Sequence, residues 1–138
     1  MNVSIYNYIS MTIFEKIIAK EIPGVFLYED DLCVVIMDAF PTTRGQCLVI
    51  PREAIDYAFD CSDELYLHLM SVSKKIARAL DASLSPVRTC MVIEGFEVPH
   101  THIKLYPICK GEKLNTSGGE QVEVEVLEKL AEEIRKGL

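Results

Sequence analysis

The stretch VPHTHIKLYP, residues Val98–Pro107, contains two of the three histidines in the chain. Its alternation of polar and apolar residues predicts a β-strand from residue 100 to residue 106. Successive side chains of a strand point to opposite faces, so His100, His102 and Lys104 are expected to share one face. The opposite face is predicted to join the core and comprises Thr101, Ile103 and Leu105. A row of two imidazoles and an ammonium group on one face indicates a chemical site.

Two kinds of chemistry suit this row of side chains. Neutral imidazole is a good nucleophile toward phosphorus, and a second histidine and a lysine could balance the charge on phosphate oxygens. Metal ligation is the alternative, because two imidazoles on one strand face can share a zinc ion. A zinc site needs further ligands, and the remaining histidine, His68, is predicted to be a packing residue beside the apolar stripe of a helix. The charge of Lys104 also disfavours a cation on this face.

The composition is typical of one globular domain. The chain has 138 residues, of which 49% are hydrophobic and 25% are charged, and this is enough for one core. Its net charge of −7 argues against a nucleic-acid-binding surface but leaves room for a pocket that holds one phosphate. Five cysteines without a C-x-x-C pair predict free thiols in a reducing, cytoplasmic compartment. No secretory signal or membrane-spanning segment is recognisable, so no membrane partner is expected.

Hydrophobic periodicity and turn residues predict five strands and three helices. The strands are expected at residues 25–28, 32–37, 46–50, 87–94 and 100–106. A short N-terminal helix is expected at residues 12–19, a long central helix at residues 62–80, and a C-terminal helix from about Val124 onward, although alternating valines there also suit a strand. The last two strands are joined by a short turn, which predicts antiparallel neighbours. The fold class is therefore α+β, with a mostly antiparallel five-stranded sheet.

Four blocks of the sequence together resemble the histidine-triad (HIT) superfamily. They are TIFEKIIAKEIP (Thr12–Pro23), YEDD (Tyr28–Asp31), MDAFPTTRGQCLVIP (Met37–Pro51) and VPHTHIKL (Val98–Leu105). Their common order makes the resemblance specific, and the N-terminal block is similar to the Hint-like branch. The resemblance implies a HIT-like domain over residues 12–108, an N-terminal extension over residues 1–11, and a loop and C-terminal helix over residues 109–138 that pack on the domain.

The resemblance also implies roles for individual residues. The family has three histidines at alternate positions and uses the middle one to form a nucleotidyl-histidine intermediate. His102 is then the nucleophile, His100 is the first histidine, and Lys104 occupies the third position. Asp38 matches the aspartate that binds the ribose hydroxyls. The remaining positions implied to bind a purine nucleotide are Ile13, Phe14, Ile17, Ile36 and Ala39 around the base, and Glu97 and Val98 near the phosphate.

Several positions depart from the family pattern. Lys104 replaces the third histidine, Ile93 stands where an asparagine would help to bind phosphate, and Gln46 replaces a histidine that supports the site. Some relatives hold a structural zinc on two cysteines and two histidines. Here three of the four corresponding positions are Thr12, Glu15 and Ala54. These side chains cannot replace two thiolates and an imidazole, so no zinc is predicted at this place, and no cofactor is expected.

The function implied is a hydrolase or nucleotidyl transferase that acts on nucleoside phosphoramidates, acyl-adenylates or dinucleoside polyphosphates. A purine nucleotide is the expected partner, and a homodimer is expected to join two sheets into one and to cover an open sheet edge. The alternative is a nucleotide-binding adaptor with little turnover, which the altered third histidine and phosphate loop motivate.

Overall fold

A computed structural model describes residues 11–138, so the predicted extension lies, apart from Met11, outside the described residues. A helix, α1 (Ile13–Ile18), precedes three strands, β1 (Phe26–Glu29), β2 (Cys33–Met37) and β3 (Cys47–Pro51). A 3₁₀ turn at Ala58–Asp60 and the long helix α2 (Asp63–Leu84) lead to strands β4 (Arg88–Val92) and β5 (Ile103–Ile108). Helix α3 (Val124–Arg135) follows a long loop. Within this part of the chain, no helix combines the length and apolar character that crossing a membrane requires.

The five strands form one antiparallel sheet in the order β1-β2-β3-β5-β4. The α+β class and the five-stranded sheet with three helices are therefore confirmed. The predicted pairing of the last two strands is also confirmed, since Cys90 on β4 faces Tyr106 on β5. Strand β4 occupies one edge of the sheet and β1 the other, so the site-bearing strand β5 lies between two neighbours.

The two faces of the sheet have different coverings. Alternate strand residues such as Val35 and Val49 pack with α2 and α3 in the main core. The opposite face carries a smaller cluster, in which Ile36, Leu48 and Ile50 pack against Phe14 of α1. A capping box stabilises the start of this six-residue helix, because the Thr12 hydroxyl accepts a bond from the Glu15 amide and the Glu15 carboxylate accepts one from the Thr12 amide. One short helix leaves much of this second face available for a site.

Strand β5 begins later than the sequence predicts. Residues 100–102 are irregular, and pairing starts at Ile103, which faces Val49 of β3. The His100 amide donates to the Val98 carbonyl at 2.8 Å, and the Thr101 amide donates to the Ile55 carbonyl at 2.6 Å. One local and one tertiary bond replace the sheet ladder here, so the regular strand does not extend to His100. The prediction that the strand begins at residue 100 is therefore wrong, although the rings of His100 and His102 both pack against Phe14.

A polar network joins the β1–β2 turn to α2. Asp30 accepts hydrogen bonds from the Tyr28 hydroxyl at 2.8 Å and from the amides of Leu32 and Cys33 at 2.8 Å. The Nε2 atom of His68 lies 2.7 Å from Oδ2 of Asp30, and the His68 side chain is 32% exposed. The prediction that His68 is a packing residue is therefore wrong. Its partner Asp30 belongs to a turn that the apolar pattern of the helix does not reveal.

The same network has the composition of a possible metal site. Ligand atoms of Asp30, Cys33 and His68 lie within 4.8 Å of one another. However, Oδ2 of Asp30 already accepts from Tyr28 and faces His68, and burial followed by the charge of Asp30 raises the pKa of the Cys33 thiol to about 12. A neutral thiol and a saturated carboxylate are poor ligands, so we interpret the group as a hydrogen-bonded network.

This network predicts a pH dependence of stability. Burial alone would raise the pKa of Asp30, but the bonds from Tyr28, the two amides and His68 together lower it below its ordinary value. A carboxylate with a lowered folded-state pKa contributes stability above its unfolded pKa of about 3.9 and loses that contribution as the pH falls through the folded-state pKa. We expect Asp30→Asn to lower the free energy of unfolding by about 1–3 kcal/mol at pH 7.

Urea unfolding from pH 7 down to pH values below about 3.9 checks this expectation, because the deficit of Asp30→Asn should shrink as the pH falls. Asp31→Asn is the matched control, since Asp31 is an exposed neighbour. A constant difference between wild type and Asp30→Asn over the whole range would contradict the assignment.

Candidate nucleotide site

His102 is buried and fixed in one tautomer. Its Nδ1 atom lies 2.7 Å from the His100 carbonyl oxygen, which can only accept, so Nδ1 carries the proton. The unprotonated Nε2 atom is then left with its lone pair. Burial lowers the pKa of His102, the bond to His100 opposes that shift, and the charge of Lys104 adds to it. His102 is therefore neutral at pH 7, which is the form that a nucleophile requires.

His100 lies behind His102 and is fully buried. Its Nε2 atom lies 2.8 Å from the Pro51 carbonyl and so donates to it, which leaves Nδ1 to accept from the Thr12 hydroxyl at 2.7 Å. Burial lowers the pKa of His100, although the bond to Pro51 opposes this. Both ring nitrogens are thus occupied, and His100 acts as a positioning residue that aligns His102 through its carbonyl. The expectation that its ring stabilises phosphate charge directly is wrong.

A cavity of about 280 Å³, the histidine cavity, opens beside His102. Lys104 lies in the same cavity and pairs in register with Leu48 of β3. Burial and the nearby charges of Glu94 and Asp38 raise the pKa of Tyr106 to about 12, so its hydroxyl stays protonated at neutral pH. The histidine cavity is also lined by Gln46, Glu97, Val98, Thr116, Ser117 and Gly118.

A second cavity of about 460 Å³, the apolar cavity, adjoins the first and shares Phe14, Asp38, Phe40 and Leu48 with it. Helix α1, strand β2 and the segment before α3 form its walls. Every residue that the resemblance implied around the base lies here: Ile13, Phe14, Ile17, Ile36 and Ala39. An apolar cavity next to a polar one has the form of a site for a ligand with a flat apolar part and a charged part.

Asp38 stands at the junction of the two cavities. One oxygen, Oδ1, accepts from the Phe40 amide at 2.8 Å, and the other, Oδ2, accepts from the Gln46 side-chain amide at 2.8 Å. Gln46 is almost fully buried and accepts in turn from the Thr42 amide at 2.7 Å. Each carboxylate oxygen keeps a further lone pair. Asp38 is therefore held in place and can still accept hydrogen bonds from a pair of ligand hydroxyls.

The structure brings most of the predicted residues together and adds others that sequence reasoning missed. His102, Lys104, Asp38, Glu97 and Val98 line the histidine cavity, whereas His100 does not. The missed residues belong to the loop before α3 and to the rim: Phe40, Tyr106, Thr116, Ser117, Gly118 and Gln121. The loop residues have no periodicity and lie beyond the quoted blocks, so only the adjacent glycines at 118 and 119 hinted at a close approach.

The positions that correspond to a zinc site in relatives do lie near one another. Thr12, Glu15 and Ala54 line one cavity, and Thr12 is bonded to His100. They do not suit a zinc ion, because they offer a hydroxyl, a carboxylate engaged in the capping box and a methyl group, while both ring nitrogens of His100 already have partners. A hydroxyl–imidazole bond joins α1 to the histidine motif at this place.

The protein is therefore an α+β domain with two adjoining cavities and one buried histidine, His102, whose ring is held by a hydrogen bond at Nδ1. A model of the HIT domain family matches residues 19–108, and the chain belongs to this family. HIT family proteins bind nucleotides. An uncharacterized HIT-like protein of Borreliella burgdorferi is 35% identical over 121 residues, which are 83% of this chain and 87% of that protein.

Two crystal structures show the same fold. A Hit-like protein from Bartonella henselae, described as involved in cell-cycle regulation and determined with an unknown ligand, has a TM-score of 0.84 at 30% identity over 92% of this chain and 96% of that chain. A zinc-bound histidine triad family protein from Mycobacterium smegmatis has a TM-score of 0.78 at 27% identity over 91% of each chain.

The bond between Thr12 and His100 generates a prediction about stability. Thr12→Val keeps the shape of the side chain but removes the hydroxyl, which leaves a buried imidazole nitrogen and the Glu15 amide without their partner. We expect the free energy of unfolding to fall by about 1–3 kcal/mol, and Thr12→Ser to restore most of it.

Chemical denaturation of the three proteins measures the effect. Thr43→Val is the matched control, because Thr43 is also buried and its hydroxyl has no hydrogen-bond partner within residues 11–138. Replacement of an unpaired buried hydroxyl by a methyl group should be neutral or stabilising. Equal losses in Thr12→Val and Thr43→Val would show that the hydroxyl–imidazole bond contributes nothing.

Proposed function

We propose that this protein binds a purine nucleotide and hydrolyses or transfers its nucleotidyl group through a covalent intermediate on His102. The observation that carries the proposal is the tautomer of His102. Its Nδ1 atom carries the proton, so Nε2 has a free lone pair, and this buried ring lies beside a cavity that Lys104 also lines. The base occupies the apolar cavity, the ribose hydroxyls bind Asp38 at the junction, and the α-phosphate binds in the histidine cavity.

The geometry supports a two-step reaction. The Nε2 lone pair of His102 forms a bond to the α-phosphorus as the bond to the leaving group breaks, and the leaving group takes a proton from water. The His100 carbonyl stabilises the positive imidazole ring through the Nδ1 proton. Water then attacks the phosphorus and releases a proton to the solvent, which balances the proton taken by the leaving group; the phosphorus–nitrogen bond breaks, and its electron pair returns to His102. The first step displaces the leaving group from phosphorus, and the second displaces His102 and restores the neutral histidine.

The charge of the histidine cavity favours one substrate class over another. Three carboxylates, from Asp38, Glu94 and Glu97, line it together with the single ammonium group of Lys104. A leaving group that carries further phosphates would meet these carboxylates, whereas an amine would be attracted to them. We therefore favour nucleoside phosphoramidates with a basic leaving group over dinucleoside polyphosphates, and acyl-adenylates lie between the two.

Lys104 distinguishes this chain within the proposed Hint-like branch. Its ammonium group is a cation that can hold a phosphate oxygen, but an ammonium group has no lone pair and cannot relay protons as a histidine does. This supports slow turnover with tight product binding. The same property favours the second candidate function, a nucleotide-binding adaptor, in which binding at the site rather than hydrolysis carries the function.

A homodimer is part of the proposal. Strand β4 is an edge strand. Met91 on this strand is 40% exposed, and Val87, just before the strand, is 69% exposed. An open edge with apolar side chains is normally covered, and a second β4 related by a twofold axis would extend the sheet. We further propose a reducing, cytoplasmic location, which the five free cysteines support.

The central test replaces the nucleophile. We expect His102→Asn to fold and to bind a nucleoside monophosphate, while hydrolysis of a nucleoside phosphoramidate falls by a factor of at least about 100. Rapid-quench mass spectrometry of the wild type should detect a nucleotidyl adduct that maps to His102. His68→Asn, which makes the same substitution outside both cavities, is the control. Near-normal turnover in His102→Asn would refute the mechanism.

Wild-type protein that binds nucleotide without any adduct or turnover would favour the adaptor over the enzyme. A comparison of a lysine-type phosphoramidate with a dinucleoside polyphosphate then tests the charge argument. Faster cleavage of the polyphosphate would contradict it.

A second test concerns the phosphate contact of Lys104. Lys104→Met keeps the length of the stem and removes the charge, so affinity for a nucleoside monophosphate should fall by about tenfold or more, while affinity for the bare nucleoside stays unchanged. Titration calorimetry with both ligands measures this. Lys110→Met is the matched control, because Lys110 is exposed and its substitution removes the same net charge. Unchanged monophosphate affinity in Lys104→Met would mean that the lysine does not contact phosphate.

The dimer is tested at the sheet edge. Met91→Lys places a charge on the exposed edge strand and should convert a dimer of the wild type into a monomer in sedimentation-velocity measurements. Val126→Lys, at a position on α3 that is 55% exposed, is the control and should remain dimeric. A monomeric wild type, or a dimer that survives Met91→Lys, would contradict pairing through β4.

A further inference from the structure

Residues 115–122, named here the C-terminal strap, connect the polar loop after β5 to helix α3 and pass along both cavities. Thr116, Ser117 and Gly118 line the histidine cavity. Gln121 and Val122 line the apolar cavity. The family model ends at residue 108, so the strap lies outside the region that defines the family. The proposed reaction at His102 gives the strap no role.

The strap is bound to the segment that follows Asp38. The Gly119 amide donates to the Phe40 carbonyl at 3.0 Å, and the Val122 amide donates to the Ala39 carbonyl at 2.9 Å. At Gly119 the backbones approach so closely that a Cβ atom would lie 2.0 Å from the Pro41 oxygen. Two backbone hydrogen bonds and a position that admits only glycine fix the strap at the rim of the apolar cavity.

The strap is also connected to the ribose-binding carboxylate. The Thr42 hydroxyl donates to the Asn115 carbonyl at 2.6 Å, and the Thr42 amide donates to Gln46, which donates in turn to Asp38. One chain of hydrogen bonds therefore sets the position of the strap relative to Asp38. A residue of the strap that faces the apolar cavity is held at a fixed distance from the place where the ribose binds.

The apolar cavity offers few partners for the polar edge of a base. Apart from Asp38 and Gln121, the side chains that line it are hydrocarbons or the thioether of Met37. Asp38 is held by Gln46 and the Phe40 amide and is assigned to the ribose. A polar group that leaves water without a new partner costs binding free energy. Among the side chains of the described residues, the amide of Gln121, which can both donate and accept, is the remaining candidate.

We infer that Gln121 recognises the edge of the base and makes the site selective for adenine over guanine. Its oxygen accepts from the 6-amino group, and its NH₂ donates to the adjacent ring nitrogen, a pairing that one amide completes. The guanine edge presents an oxygen, a ring N–H and a 2-amino group, which one amide cannot satisfy together. This inference rests on the proposed function, because it requires a purine in the apolar cavity.

Titration calorimetry with three monophosphates tests the inference: AMP, GMP and purine riboside 5′-monophosphate, which lacks the 6-amino group. The wild type should bind AMP about five- to tenfold more tightly than either of the others. Gln121→Leu should lose this advantage for AMP and bind purine riboside 5′-monophosphate within about twofold of the wild type. Gln121 is exposed in the free protein, so this variant should fold normally, and its melting temperature checks that.

A charge-matched variant sharpens the test. Glu120→Gln with Gln121→Glu keeps the net charge and replaces the amide by a carboxylate, which only accepts hydrogen bonds. It should reverse the preference from AMP to GMP, whose ring N–H and 2-amino group both donate. Glu120→Gln alone is the control and should match the wild type, since Glu120 lines neither cavity.

The outcomes separate this inference from the proposed function. If AMP and purine riboside 5′-monophosphate lose affinity equally in Gln121→Leu, or if the double variant keeps the preference for AMP, Gln121 does not recognise the base and the inference fails, while nucleotide binding stands. A wild type that prefers GMP also overturns it. A wild type that binds none of the three monophosphates overturns the proposed function and this inference with it.

Discussion

The buried imidazole of His100 is the contact on which the site depends. Its ring joins the first residue before α1, through Thr12, to the end of β3, through the Pro51 carbonyl. Its own carbonyl fixes the tautomer of His102. A charged imidazole could not accept from the Thr12 hydroxyl, so burial, which lowers the pKa of His100, and the bond from Thr12 favour the same neutral state. His100 thus contacts the start of a helix and the end of a strand through its uncharged ring, and His102 through its backbone carbonyl.

The unequal covering of the sheet explains why the site lies where it does. Two helices bury one face, and their packing supplies most of the core. On the other face the short helix α1 covers only part of the strands, and it contributes Phe14 both to the small apolar cluster and to the edge contacts with the two histidine rings. The uncovered part carries Leu48 and Lys104 side by side across β3 and β5. The same strands therefore stabilise the fold on one face and line the cavities on the other.

The sequence predicts those parts of the structure that periodicity controls. The apolar runs of β2 and β3, in which every residue is buried, and the apolar stripe of α2 lie close to where the sequence pattern predicts them. The register of residues 100–102 could not be predicted, since the Thr101 amide bonds to the Ile55 carbonyl, far away in the chain. The same holds for the pair of His68 and Asp30 and for the strap. Local patterns carry no information about partners that only tertiary folding brings together.

Segments inside and outside the region matched by the family model contribute differently to the two cavities. The histidine motif, Asp38 and Lys104 lie within residues 19–108, which the family model matches, and His102, Asp38 and Lys104 line the histidine cavity. The walls of the apolar cavity come partly from outside that region, from Ile13, Phe14 and Ile17 on one side and Gln121, Val122 and Leu127 on the other. Ile13, Ile17, Gln121 and Val122 line this cavity but not the histidine cavity, so substitutions there change its shape and polarity and keep the lining around His102. Helix α3, which follows the strap, is anchored in the main core by Leu130 and Ile134, so the strap can change in sequence while its two ends stay fixed. The segments on either side of the family region thus contribute part of the lining of the apolar cavity, whereas His102, Asp38 and Lys104 lie within that region.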